Sequence, residues 1–493
     1  MPGTAESVPK LRLAALLLVA AGVGGLCAQS LPPEVDAALQ RAKLPRDAVA
    51  MLVVDAEGRS APRLNHRAGV AMNPASVMKL VTTFAALDLL GPSFAWSTPV
   101  FIEGAVRDGT LYGNLYIKGQ GDPKLVAERL WLLLRRVQGL GVKTISGDIV
   151  LDRSAFTLAD ADPGGFDGEP LRPYNAAPDA LLVNYKSIVM TFVPDRTLNT
   201  AQVQFDPPLA GVATQASVPL SGGDCGDYRA TLRAEFSDPA RIRFGGSYPA
   251  SCLEKVWPVA YADPRSYAAR AVEGMWLEMG GKLGGSVHDG RVPAPSGQAA
   301  SPVFEVSSPA LAEVVRDINK FSNNVMAQQL FLTLSLPARM LGANTASARV
   351  GAAAESASLE ASRELVRRWW QERIGGNDAP VLDNGSGLSR NERISAQALA
   401  RLLQTAYRSP LMPELMSSLP VAGVDGTLRR SRSLAYASAH LKTGSLRDVA
   451  AVAGYVHAAS GRRYVLVAIA NHANANAARP ALDALLDWAM KDN

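Results

Sequence analysis

The chain has 493 residues, 48% of them hydrophobic and 19% charged, with a formal net charge of +5. This composition excludes wholesale disorder, and the length calls for more than one domain. So small a charge excess argues against an extended nucleic-acid surface, so no nucleic-acid partner is expected.

In chain order, the first predicted element is an export signal. Lys10 and Arg12 precede the apolar run Leu13 to Leu26, and small Ala28 closes the segment. Cleavage after Ala28 makes residues 1–28 a signal peptide and predicts an exported, periplasmic protein of the cell envelope. The run of 14 apolar residues is short of the ~20 that a spanning helix needs. Bulky Leu26 does not suit a lipoprotein site at Cys27, although peripheral membrane association stays open. Cleavage removes Cys27 and leaves Cys225 and Cys252. In an oxidising compartment an even pair predicts a Cys225–Cys252 disulfide in preference to two free thiols.

Residues 49–55, VAMLVVD, read as a strand. After the turn signal EGRS, the stretch PRLNHRAGV returns as the second arm of a hairpin. Asn73 suits a helix cap and Pro74 a first helical position, followed by apolar Met78, Leu80, Val81, Phe84, Leu87 and Leu90 up to Gly91-Pro92. Ser76 then lies in the first turn, with Lys79 one turn later on the same face. Residues 96–305 are short β-like runs broken by Gly, Pro and Asp. Helical character returns at Ser308-Pro309, pauses at FSNN (321–324) and resumes with VMAQQLFLTL. Two more helical stretches lead to the β-like runs SAHLKTGS, AVAGYVHA and RYVLVAIAN, and a final helix closes the chain. First and last strands are predicted to complete one antiparallel sheet covered by helices, an α+β fold.

Three short elements line up along this chain: Ser76-Val77-Met78-Lys79 at a helix start, Ser322-Asn323-Asn324 in a break between helices, and Lys442-Thr443-Gly444 on a strand. Each alone is an ordinary cap, surface lysine or strand end. Together, in this order, they are the signature of penicillin-binding proteins and class A β-lactamases. The chemistry explains the residue types. A serine hydroxyl is a poor nucleophile until a base takes its proton, and Lys79 serves as that base if burial and a second cation, Lys442, lower its pKa. Ser322 is placed to shuttle a proton, Asn324 to fix Lys79 and a substrate amide, and a backbone N–H after Gly444 to complete an oxyanion hole. Other readings fail. None of the five histidines belongs to a His-Glu-x-x-His site, DNGSGLS (383–389) is not Gly-x-Ser-x-Gly, and no Walker-type loop occurs. No metal or organic cofactor is expected.

With NPASVMKLVTTFAAL, GDIVLDRSAF, NAAPDALLVNY, DNGSGLSR, GVDGTLRR and KTGSLRDVAAVAGYV added, residues 32–485 resemble the class C low-molecular-mass penicillin-binding proteins, the D-alanyl-D-alanine carboxypeptidase/endopeptidases. The resemblance implies a penicillin-recognising catalytic domain built from residues 29–95 and 306–493. Residues 96–305 would be an inserted accessory region of two nested subdomains. Ser76 would be acylated with Lys79 as base. Ser322, Asn324 and Lys442 would organise proton transfer and the substrate carboxylate, and Thr443, Gly444 and Ser445 would contact the substrate. Peptidoglycan stem peptides and cross-links would be the substrates, and β-lactams would trap the acyl-enzyme. A β-lactamase-like hydrolase would differ by fast deacylation, and a silent wall-binding protein by forming no covalent label.

Overall fold

The apolar run at 49–55 has no polar alternation because both faces of its strand are covered. Five strands make one antiparallel sheet: β1 (Val49–Asp55), β2 (Leu64–His66), β3 (Ala439–Leu446), β4 (Val449–His457) and β5 (Arg463–Asn471), in the spatial order β2-β1-β5-β4-β3. The computed structural model describes residues 30–293, 301–337 and 355–492, so the expected signal segment 1–28 lies outside the described residues. Helices run before, between and after these strands: α1 (Pro33–Arg41), α2 (Lys79–Leu90), α3 (Leu311–Phe321), α4 (Asn324–Thr333), α5 (Ala396–Tyr407) and α6 (Arg479–Lys491). Successive side chains of a strand point to opposite faces. Ala50, Leu52 and Val54 accordingly join Phe84 of α2 and Leu399 of α5 in one core. Val49, Met51 and Val53 join Leu39 of α1 and Leu485 of α6 in a second.

Between Trp96 and Ser308 the chain builds further sheets around a core of its own, which includes Leu115, Leu133, Phe192 and Trp276. It leaves along the strand Ser97–Arg107 and returns along Phe304–Ser307, and these two strands are antiparallel neighbours with Ser97 opposite Ser307. Cys225 and Cys252 are joined by a disulfide here, with Cα atoms 4.6 Å apart. Buried Gln329 of α4 ties this region to the helices below. It accepts from the Asp179 N–H (2.8 Å) and donates to the carbonyls of Asp179 (2.8 Å) and Gly121 (3.2 Å).

One cap differs from its sequence reading. Ser308 does not start a helix: its hydroxyl accepts from the Trp96 N–H at 2.9 Å, and α3 begins at Leu311 after Ala310. The seam between the two strands takes the serine that the helix would otherwise use. Among the described residues no helix is long and apolar enough to cross a membrane.

Candidate active site

The segment around Ser76 also departs from the expected α-helical first turn. Ala75–Met78 form a 3₁₀ turn, and α2 starts only at Lys79. Asn73 makes a cap-type bond to this turn and also ties it to distant segments. Its side-chain oxygen accepts from the Ala75 N–H (2.9 Å), its amide donates to the Ser389 carbonyl (2.9 Å), and its own N–H donates to Asn471 (2.8 Å). The tighter turn has a direct consequence, because residues i and i+3 of a 3₁₀ helix eclipse one another. Ser76 and Lys79 are such a pair, and Lys79 Nζ sits 2.9 Å from Ser76 Oγ. Ala75 is held at φ +47°, a conformation unfavourable for a residue with a Cβ. Two glycines let neighbouring backbone press on this turn. A Cβ at Gly387 would lie 2.0 Å from the Ala75 carbonyl oxygen, and one at Gly444 would lie 2.3 Å from that of Pro74.

The break at FSNN is a helix-to-helix corner. Ser322 closes α3 in the left-handed conformation (φ +56°), Asn323 caps α4 by accepting from the Met326 N–H, and Asn324 opens α4. The corner aims Ser322 and Asn324 at two different lysines. Asn324 Oδ1 accepts from Lys79 Nζ at 2.6 Å, while Ser322 Oγ accepts from Lys442 Nζ at 2.8 Å. Lys442, on the edge strand β3, also donates to the Thr443 carbonyl at 2.8 Å. The Thr443 hydroxyl lies 2.7 Å from that of Thr427. Ser76, Ser322, Thr443, Gly444 and Ser445 line a common cavity of about 480 Å³.

Some partners of these residues carry no side-chain signature. Lys79 Nζ donates to the Ser386 carbonyl at 2.5 Å, and Asn324 Nδ2 donates to the Tyr174 carbonyl at 3.3 Å. The Ser386 loop is fixed from behind by buried Glu392, one oxygen of which accepts the N–H groups of Asp383, Asn384 and Gly385 at 3.0–3.2 Å. DNGSGLSR is thus a loop that presents a carbonyl, and its serine is no nucleophile elbow.

Both lysines are fully buried. Burial pushes the Lys79 ammonium well below the ordinary lysine range, the positive charge of Lys442 pushes it further, and Glu392 opposes both. Burial alone takes Lys442 down to about 7. The site therefore holds an alcohol against an amine whose proton is only weakly kept, with a second ammonium poised near neutrality.

Fold and site together define a class: the α+β fold of the penicillin-recognising enzymes, with a serine held against a buried lysine. The chain matches the D-Ala-D-Ala carboxypeptidase 3 (S13) family over residues 31–491 and belongs to that family. It is a serine-type D-Ala-D-Ala carboxypeptidase. A D-alanyl-D-alanine carboxypeptidase of Actinomadura sp. is 28% identical over 453 residues, covering 90% of this chain and 81% of the relative. The carboxypeptidase DacB of Haemophilus influenzae is 25% identical over 409 residues, covering 81% of this chain and 80% of the relative. In structure the chain is similar to penicillin binding protein 4 from Haemophilus influenzae, with a TM-score of 0.68 at 22% identity, covering 92% of this chain and 99% of the other.

Proposed function

We propose that Ser76 is the residue acylated by the penultimate D-Ala of a peptidoglycan stem peptide and that Lys79 is its base. The observation that carries this reading is the hydrogen-bond arrangement at Lys79. A neutral amine has two hydrogens and one lone pair. The Asn324 and Ser386 oxygens accept the two hydrogens, which leaves the lone pair for the Ser76 hydroxyl. Lys79 then takes the serine proton as Oγ attacks the carbonyl. The C–N bond breaks, the proton reaches the leaving amine by way of Ser322, and water later hydrolyses the ester. Lys442 and Thr443 receive the terminal carboxylate. The N–H groups of Ser76 and Ser445 hold the developing oxyanion. The hydrogen-bond partners of Ser322 and Lys442, and the close approach of Gly444 to Ser76, support these roles.

In this reading residues 29–95 and 306–493 form the catalytic domain, and 96–305 an accessory region of two nested subdomains that braces Asn324 through the Tyr174 carbonyl. The protein works in the periplasm after removal of residues 1–28. It also cleaves D-Ala cross-links as an endopeptidase and is inhibited by β-lactams. A Haemophilus relative of this fold has been captured with a β-lactam, which supports the last point. Intact mass after penicillin treatment, with peptide mapping, tests the assignment. One adduct on Ser76 is expected, absent in Ser76→Ala. An adduct on another residue, or none on folded protein, would overturn it.

A further inference from the structure

The cavity that holds Ser76 does not end at the catalytic groups. From Ser76 and Ser322 it crosses the edge strand β3 at Thr443 and Ser445 and continues over the sheet to α6, where Arg479, Leu482 and Asp483 line it. A terminal alanine is among the smallest leaving groups an amide can have, and it has no group that matches the lining contributed by α6. The far part of the cavity has its own chemistry. Leu428, Leu482 and Leu486 make apolar walls. At its far end stand Arg479, about half exposed, and Asp483, whose carboxylate lies 3.7 Å from the Arg479 guanidinium and accepts a hydrogen bond from Ser431. Asn476 is exposed at the same end and donates to the Arg447 carbonyl.

We propose that this extension is the leaving-group subsite for a cross-linked substrate, and that Arg479 selects for it. The inference rests on the acyl-enzyme reading of Ser76. In a cross-link through a diamino dicarboxylic acid, the amine released from the acyl carbon has a carboxylate on its own carbon, an aliphatic chain next and a second peptide beyond it. The cavity matches that order of groups. The carboxylate beside the scissile bond meets Lys442 and Thr443, the methylene chain passes between the leucine walls, and the polar far end meets Arg479 and Asp483. Arg429 and Arg430 follow the lining residue Leu428 directly and stand exposed, which adds positive charge near the cavity for a carboxylate-bearing second peptide. Bond changes are those of ordinary acylation: the C–N bond breaks, the Ser76 ester forms, and the serine proton leaves on the released amine.

The test uses the full-length exported protein with two purified muropeptides, a monomer ending in D-Ala-D-Ala and a dimer joined through D-Ala to a diamino acid. Two variants are compared with wild type: Arg479→Glu, which reverses the charge, and Asn476→Trp, which narrows the outer end from the surface. For each, kcat/KM is measured on both substrates, with the rate of penicillin acylation as the measure of an intact catalytic centre. The expected result is that the ratio of dimer cleavage to monomer trimming falls at least tenfold in both variants while penicillin acylation stays within twofold. Equal loss on both substrates, or an unchanged ratio in both variants, would overturn the subsite. A wild-type protein that trims monomers but never cleaves dimers would also overturn it and would leave the carboxypeptidase reading intact. Failure of wild type to trim monomers or bind penicillin would instead bring down the acyl-enzyme reading itself.

Discussion

Replacing Lys442 with Met is expected to damage the enzyme and to change its stability relative to wild type by an amount that turns steadily against the variant as pH rises. Burial lowers the Lys442 ammonium from 10.5 to about 7. Between those values the unfolded chain binds a proton that the folded protein does not hold, so the lysine's contribution to stability rises with pH. Each pH unit of that interval corresponds to about 1.4 kcal/mol. Because the folded lysine is still half protonated at pH 7, wild type should recover about 2 kcal/mol relative to Lys442→Met between pH 7 and pH 9. Losing the ammonium also strips partners from Ser322 Oγ and the Thr443 carbonyl, a cost of about 1–3 kcal/mol each that does not vary with pH in this range. The absolute offset between the proteins is thus less informative than its slope. Loss of the Lys442 charge also relieves Lys79 and acts in the same direction. The assay is urea unfolding of both proteins at pH 7, 8 and 9, followed by tryptophan fluorescence. A constant difference across the three values would refute a depressed Lys442 ammonium.

The two lysines should also separate kinetically. Lys79→Ala is expected to slow acylation by every substrate by ~10²–10⁴, the usual worth of a positioned base, and near-normal acylation would remove Lys79 from that role. Lys442→Gln should slow acylation more for ligands with a free carboxylate than for matched amides or esters, as read from second-order acylation rates for such pairs; equal slowing would refute carboxylate recognition. Reduction of the Cys225–Cys252 disulfide should lower stability by about 3 kcal/mol on the chain-entropy account, with penicillin acylation kept below the new melting point. Loss of acylation on reduction of the still-folded protein would show that the disulfide region shapes the site.

The side chains that meet at the candidate site were easier to read from sequence than the backbone around them. Ser76 and Lys79 could be paired before their turn was known, because three residues of either α or 3₁₀ helix bring their side chains together. The type of turn was not legible. Asn73 reads as the cap of an α-helix; its oxygen does take the Ala75 N–H, but of a 3₁₀ turn, and its bonds to Ser389 and Asn471, distant in sequence, carry no local signature. The Ser386 and Tyr174 carbonyls were hidden for another reason: every residue has a carbonyl, so an acceptor made of backbone leaves no mark in composition. The core sheet was legible through its long apolar runs. The region after Trp96 was not, beyond its β character. Its sheets include two-residue strands such as Lys282–Leu283, which lies parallel to Thr144–Ile145 more than 100 residues away, and no local pattern encodes so short and distant a pairing.

The placing of β1 beside β5 also fixes when the protein can first work. Val49 pairs with Ala470, more than 400 residues later in the chain. At a synthesis rate of ~5–20 residues per second, β1 waits roughly 20–80 s for its partner. The edge strand that carries Lys442 is likewise among the last segments to be made. On the acyl-enzyme reading, Ser76 is synthesised early but stays an ordinary alcohol until the final strands arrive to bury Lys79 beside Lys442. A partly made chain would then hold the proposed nucleophile without its proposed base in place, and hydrolytic competence would come late. Until then β1 is an unpaired apolar strand, so the same design that delays activity makes the unfinished chain vulnerable to wrong pairings.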